Sequence, residues 1–224
     1  MLAIDNRKLL ILTAVQIEAR AIDQALALST AHPLPTAPPM QLRPIGVRAT
    51  HMPPDLSAQT VRCIIMTGLA GALDPALQCG QIVIDGWPTH LPIDPAYRLG
   101  AIHTADHIVA TIDDKARLYH QTGALAVDME SALVRQVAQQ RGIPFLAIRA
   151  IGDTAADALD PAVLNFTDDF GRPKPLALAS ALLRRPMLVP HLRKLQQTSA
   201  LALHALADAL KRILSGPGPW TLTS

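Results

Sequence analysis

The stretch ALAVDMESALVRQVAQQRGIPFLAIRAIGD, residues 124–153, reads as strand, helix, strand. Residues 124–129 are apolar apart from Asp128 and lead directly into an amphipathic helix over 130–141. Gly142 stands just past that helix, where a left-handed residue is favoured, and residues 145–151 form the next buried strand. Two buried strands around a helix of about a dozen residues predict an α/β sheet covered on both faces.

The same alternation continues on either side. Residues 9–14 are a short buried strand, 16–28 its following helix, and 61–66 a second strand running into a small-residue turn at 67–71. Residues 81–85 and 108–111 are further strands, with a helix at about 114–121. Pro33, Pro35, Pro38, Pro39 and Pro44 predict an irregular surface loop over 29–44. Beyond Gly171 the chain turns helical: Leu192, Leu195, Leu206, Leu210 and Ile213 form one apolar stripe, with Pro190 in the first turn. The expectation is one domain over residues 1–224, with a helical extension from about residue 172.

Composition narrows the class. Half the residues are hydrophobic and only 17% charged, a surface poor enough in charge to predict a homo-oligomer. A net charge of +2 gives no reason to expect a nucleic-acid partner. Cys63 and Cys79 lack a CxxC spacing and read as buried thiols, and the scattered histidines predict no metal site. No leader or 18-residue apolar run is visible, so the expected compartment is the cytoplasm. Asn165-Phe-Thr167 matches a glycosylation sequon, which in that compartment is a chance match.

Chemistry gathers at the carboxyl ends of strands in α/β sheets. Asp128 and Glu130, two apart in extended chain, leave on one side and suit the paired hydroxyls of a ribose; the bland alternative is an acid capping the following helix. Asp153 leaves a strongly apolar strand, where partial burial suits a general acid, although an Asx-turn explains it equally. Glu18 on the first helix is either a solvated glutamate or part of the same site. Gly68-Leu69-Ala70-Gly71 lets a ligand approach the backbone, or merely makes a tight turn. Neither GxGxxG nor a GK[ST] phosphate loop is present, so no dinucleotide cofactor is expected.

Taken together, 126–131, 142–153, 67–74, 80–84 and 11–18 resemble the purine nucleoside phosphorylase and methylthioadenosine/S-adenosylhomocysteine nucleosidase family. The resemblance covers about residues 9–157. Residues 104–111, Lys115, 168–173 and 182–186 resemble its hopanoid-associated branch, proposed to release adenine from adenosylhopane. The family implies a three-layer fold with a mixed central sheet and cleavage of a purine N-glycosidic bond. It implies no cofactor, with phosphate as an alternative co-substrate to water.

Carried onto this chain, the resemblance makes Asp153 the acid at purine N7 and Glu130 the carboxylate that holds ribose. Met129 then packs on the sugar, Ile108 and Val109 line the base pocket, and Glu18 positions the attacking water. The chain also departs from the family. The nucleosidases carry serine at the positions of Leu69 and Gly152, and the bacterial hexameric phosphorylases place an arginine near Met66 and a serine at Leu69 to hold phosphate. Their Gly-rich loop is replaced here by Ile45-Gly-Val-Arg-Ala-Thr50. Backbone amides near Gly68, or Arg48, are the remaining candidates for holding an anion. Water is favoured over phosphate, and a catalytically silent nucleoside-binding protein is the alternative. Arg184, Arg185, Arg193 and Lys194 among leucines at 182–195 suggest peripheral membrane contact, or simply a packed helix with a basic edge.

Overall fold

Apolar runs at 8–13, 61–72 and 145–153 build the centre of the sheet, and alternate side chains along each go to opposite faces. The computed structural model describes residues 7–26, 28, 39–159, 168–170, 172, 174 and 188–220. In chain order these form β1 (Lys8–Thr13), α1 (Gln16–Leu26), β2 (Met40–Pro44), β3 (Val61–Ala72), β4 (Ile82–Asp85), β5 (Arg98–Leu99) and β6 (Ile102–Thr104). They continue with α2 (Ile112–Thr122), β7 (Ala126–Asp128), α3 (Ser131–Gln140), β8 (Phe145–Asp153) and α4 (Leu188–Ser215).

The sheet runs β2-β1-β3-β8-β4-β5, with β7 joining β3 and β6 beside β7. The β2, β1, β3 and β8 pairings are parallel; β4 runs antiparallel to β8 and β7 antiparallel to β3. Leu9, Ile11, Cys63, Ile65, Ile148 and Ala150 meet Ile22 and Leu26 of α1 and Leu206, Leu210 and Ile213 of α4 on one face. Leu10, Leu12, Ile64 and Met66 meet Val134 and Ala138 of α3 on the other. The fold is therefore the expected mixed sheet with helices on both faces.

Three local expectations are corrected. Residues 67–71 do not turn: β3 runs on to Ala72, pairing with β8 on one side and, at Gly71 and Ala72, with β7 on the other. Its glycines permit close approach and a register shift after Ala70, not a reversal. Residues 108–111 form no strand, and the strand beside β7 is β6. Val109 is buried for a different reason, since it lines the site described below. Met40–Pro44 is not loop but edge strand β2, where a proline needs no ladder partner on its outer side.

Helix boundaries follow local chemistry. Thr111 caps α2 by accepting the Asp114 N–H, and Gly123 closes it at φ 66. Gly142 takes φ 63 after α3, as its position predicts. Cys63 is fully buried, which pushes its thiol up to about 12, and Cys79 is half-buried with its thiol donating to the Gly152 carbonyl. The sequon at 165–167 and the basic segment 182–187 lie outside the described residues. No helix among the described residues is long and apolar enough to cross a membrane.

The loop after β2 carries unusual backbone. Arg48 (φ 58) and Ala49 (φ 54) both occupy the left-handed region behind Gly46 (φ 79). That region costs a residue with a side chain roughly 1–2 kcal/mol. The Arg48 side chain is exposed, so Arg48→Gly loses little packing. The variant should be more stable by up to about 1 kcal/mol, raising the thermal midpoint by about 2–4 °C for a chain of this size. Circular dichroism melting checks this; an unchanged or lower midpoint would show that the loop is not strained.

Candidate active site

Strands β1, β3, β7 and β8 present their carboxyl ends to one cavity of about 340 Å³. Leu69, Ala70, Ile108, Val109, Asp128, Met129, Glu130 and Asp153 all line it. Gly68 and Glu18 are not on its wall. They stand one layer behind, where the Leu69 N–H donates to Glu18 Oε1 at 2.9 Å. Sequence reasoning missed further wall residues, among them Val47, His107, Leu159, and Leu195 and Ser199 of α4.

It also missed the centre of the arrangement. Arg149 of β8 is fully buried, and its Nη2 donates to Asp128 Oδ2 at 2.5 Å and to Glu130 Oε2 at 3.3 Å. Its Nε and Nη1 have no hydrogen-bond partner among the described residues, and neither has the buried hydroxyl of Thr67. A cation inside the apolar run 145–151 was the available signal, because burying one is costly unless a function or a partner holds it there.

Asp128 is committed to structure. Its carboxylate accepts from Thr104 Oγ1 at 2.7 Å, from the Ser131 N–H at 3.2 Å and from the Ser131 hydroxyl, besides Arg149. It therefore caps α3, the role a helix-start acid could have taken at either position. Burial opposes its ionisation, but Arg149 and these donors outweigh burial and hold it below the usual carboxylate range.

Glu130 stands at the head of α3 without capping it. Its Oε1 accepts the Arg48 N–H at 3.0 Å, and its ring of neighbours includes Met129 and Val47 on the cavity wall. Burial raises it to about 7, with Arg149 pulling it down and Asp128 pushing it up. Burial likewise raises Glu18, against Arg149 and the N–H groups of Leu69, Val15 and Ala14. Glu18 and Arg149 meet beneath Gly68: a Cβ there would lie 2.5 Å from Glu18 Oε1 and 2.8 Å from Arg149 Nη1. Only glycine, at φ 146, fits.

Asp153, at the end of β8, is the acid at the far wall. Its Oδ2 accepts from Lys115 Nζ of α2 at 2.5 Å. Burial raises it, and Lys115 offsets part of that. Leu69 and Gly152 are neighbours, since a Cβ on Gly152 would sit in ordinary van der Waals contact with Leu69 Cδ1, 3.5 Å away.

One cavity thus joins a buried carboxyl suited to a diol, a second carboxyl held by a lysine, and a third behind a glycine with an arginine. Residues 90–184 match the model of the Phosphorylase superfamily. The chain is 28% identical over 152 residues to the 5′-methylthioadenosine/S-adenosylhomocysteine nucleosidase of Mycobacterium tuberculosis, covering 42% of this chain and 60% of that protein. It spans about 60% of the length of the curated relatives it matches first. The solved nucleosidase of Helicobacter pylori superposes with a TM-score of 0.61 at 18% identity, over 92% of this chain and 97% of that one. The nucleosidase-like protein of Francisella philomiragia gives 0.58 at 18%, over 92% and 97%. The fold is that of the nucleoside phosphorylases and nucleosidases.

Glu130 makes stability depend on pH. An unfolded glutamate gives up its proton near 4.5, whereas the folded one keeps it to about 7. Folded protein therefore binds the extra proton between these values, and this contribution to stability falls as pH rises through that window. Glu130→Gln cannot titrate, so its stability relative to the native chain should improve between pH 5 and 8, by at most about 1.4 kcal/mol per pH unit. Urea unfolding at both pH values tests it; a constant difference would show that Glu130 ionises as in water.

Proposed function

We propose that this chain cleaves the N-glycosidic bond of an adenosine-type nucleoside, with water as the acceptor. The observation that carries the reading is the placement of Glu130 and Asp153 on one cavity, with Glu18 and Arg149 behind its Gly68 edge. The mycobacterial relative, named as a nucleosidase of such substrates, supports it.

In this reading Glu130 holds the ribose hydroxyls and Met129 packs on the sugar. Asp153 passes a proton to N7 of the base as the C1′–N9 bond breaks, and the bonding pair leaves with the base. Water adds to C1′ from the side of the Leu69 backbone, which Glu18 holds from behind, and releases its proton to solvent. The side chains of Met66 and Leu69 offer no hydrogen bond to a phosphate, which favours water as the acceptor. So does charge: Arg149 is already paired with Asp128 and Glu130, so its own charge is compensated and not left for an anion. The apolar wall of Val47, Leu69, Leu159 and Leu195 suits a hydrophobic 5′ substituent of the adenosylhopane kind. Exposed Ile17, Leu99 and Leu201 suit the oligomer that composition suggests.

Chromatography of 5′-substituted adenosines incubated with the protein tests the proposal. Free adenine and free ribosyl product are expected without phosphate, and Asp153→Asn should lower kcat by about 10²-fold or more. A sugar 1-phosphate formed only with phosphate would replace hydrolysis by phosphorolysis. No free base, together with thermal stabilisation by intact nucleoside, would make the chain a silent binding protein.

A further inference from the structure

Lys115 is a buried cation on the inner side of α2, three residues from Ile112 and Leu118, and its side chain is 1% exposed. Its Nζ donates to Asp153 Oδ2 at 2.5 Å, to the Thr154 carbonyl at 2.8 Å and to the Asp157 carbonyl at 2.8 Å. Three donors meet three acceptors, all from the one segment that carries the acid. A lysine serving only to tie a helix to a loop could be satisfied by carbonyl groups. Here one of its three bonds goes to a carboxylate on the cavity wall.

Gly71 of β3 leaves room beside the carboxylate, since a Cβ there would stand 3.0 Å from Oδ2. Among the described residues no protein group donates to Oδ1. The acid is thus held at one oxygen and offered at the other.

Resting on the nucleosidase reading above, we propose that Lys115 is a positioning residue for departure of the base. It orients Asp153 so that Oδ1 delivers the proton to N7, and it stabilises the carboxylate left when that proton has gone. The proton moves from Asp153 to the base, the bond pair leaves with the base, and Lys115 exchanges nothing. Its contribution is electrostatic and grows as the negative charge appears, which is when it lowers the barrier.

Other charges face Asp153. Asp157, on its own segment, repels it, but Asp157 is itself paired with Lys194 of α4 at 2.6 Å. Cys79, between β3 and β4, is a thiol that burial and these aspartates push up, so it stays neutral. Lys115 is therefore the cation whose removal Asp153 should feel most. Activity that requires protonated Asp153 falls as pH rises through its titration. Removing an opposite charge moves that limb to higher pH, by about one to three units.

The test compares Lys115→Met and Lys115→Arg with the native protein in pH profiles of adenine release. Lys115→Met should lose about tenfold or more in kcat with a smaller change in KM, and its limb should shift upward. Lys115→Arg, which keeps the charge, should keep the native limb. In an Asp153→Asn background, adding Lys115→Met should cost less than about twofold, because Lys115 acts through Asp153. A limb that stays in place in Lys115→Met, or a further tenfold loss in the double variant, overturns the proposal. If Lys115→Met does not unfold cooperatively, Lys115→Gln replaces it.

A second readout needs no turnover. The ¹³C carboxyl signal of Asp153, assigned by its loss in Asp153→Asn, should titrate at higher pH in Lys115→Met. If that midpoint moves while native protein releases no base, the proposed function fails and the effect of Lys115 on the acid stands. If base is released and the midpoint does not move, the role of Lys115 fails alone.

Discussion

Arg149 is the constraint on which the rest of the site depends. A fully buried guanidinium in the middle of a sheet requires counter-charges, and the topology brings them from three chain segments: Asp128 at the end of β7, Glu130 at the head of α3, and Glu18 on α1. Burial alone would lower the affinity of Arg149 for its proton, but the carboxylates outweigh burial and raise it. Breaking such a pair from one side typically costs about 3–5 kcal/mol, because the partner stays buried and uncompensated. Here three acids would be stranded together. The strand order β1-β3-β8 with β7 crossing onto β3 is the arrangement that gathers them at one edge.

The same arginine sorts two neighbouring carboxyls into different states. Asp128 takes the shorter contact, caps α3 and is held ionised; Glu130 takes the longer one and carries the repulsion of Asp128. Environments that push paired acids apart are how one fold assigns separate tasks to identical chemistry. Asp128 therefore fixes the architecture, and Glu130 is left adjustable, near neutrality, on the cavity wall. One of its oxygens is met by the Arg48 N–H, presented by left-handed backbone.

How much of this was legible in the chain depended on what each signal measures. The strand and helix of 126–151 were readable because hydrophobic period and the glycine after α3 agree. The 67–71 segment was not. Small residues mark both turns and strands that others approach closely, and only tertiary pairing with β7 and β8 separates the two. Ile108 and Val109 are apolar and line a cavity, and a short apolar run by itself does not distinguish that from a strand. Among the side chains, acids at strand ends stood out. Arg149 is a cation within an apolar run and Lys115 looks like one more charge on a polar helix, and their partners are 21 and 38 residues away, beyond the reach of local spacing.

The departures at Leu69 and Gly152 acquire a physical meaning only in three dimensions. Taken singly, each removes a hydroxyl that relatives of this fold are expected to carry there. In space the two positions are neighbours, a Cβ on Gly152 lying in ordinary van der Waals contact with Leu69 across the β3–β8 pair. The backbone around them is intact: the Leu69 N–H donates to Glu18, and Glu18 is gripped by the amides of Ala14 and Val15. Under the hydrolytic proposal the acceptor end is therefore less polar at these two side chains, with the acid behind it undisturbed. A neutral acceptor loses little by this, whereas an anion finds no hydroxyl at either position.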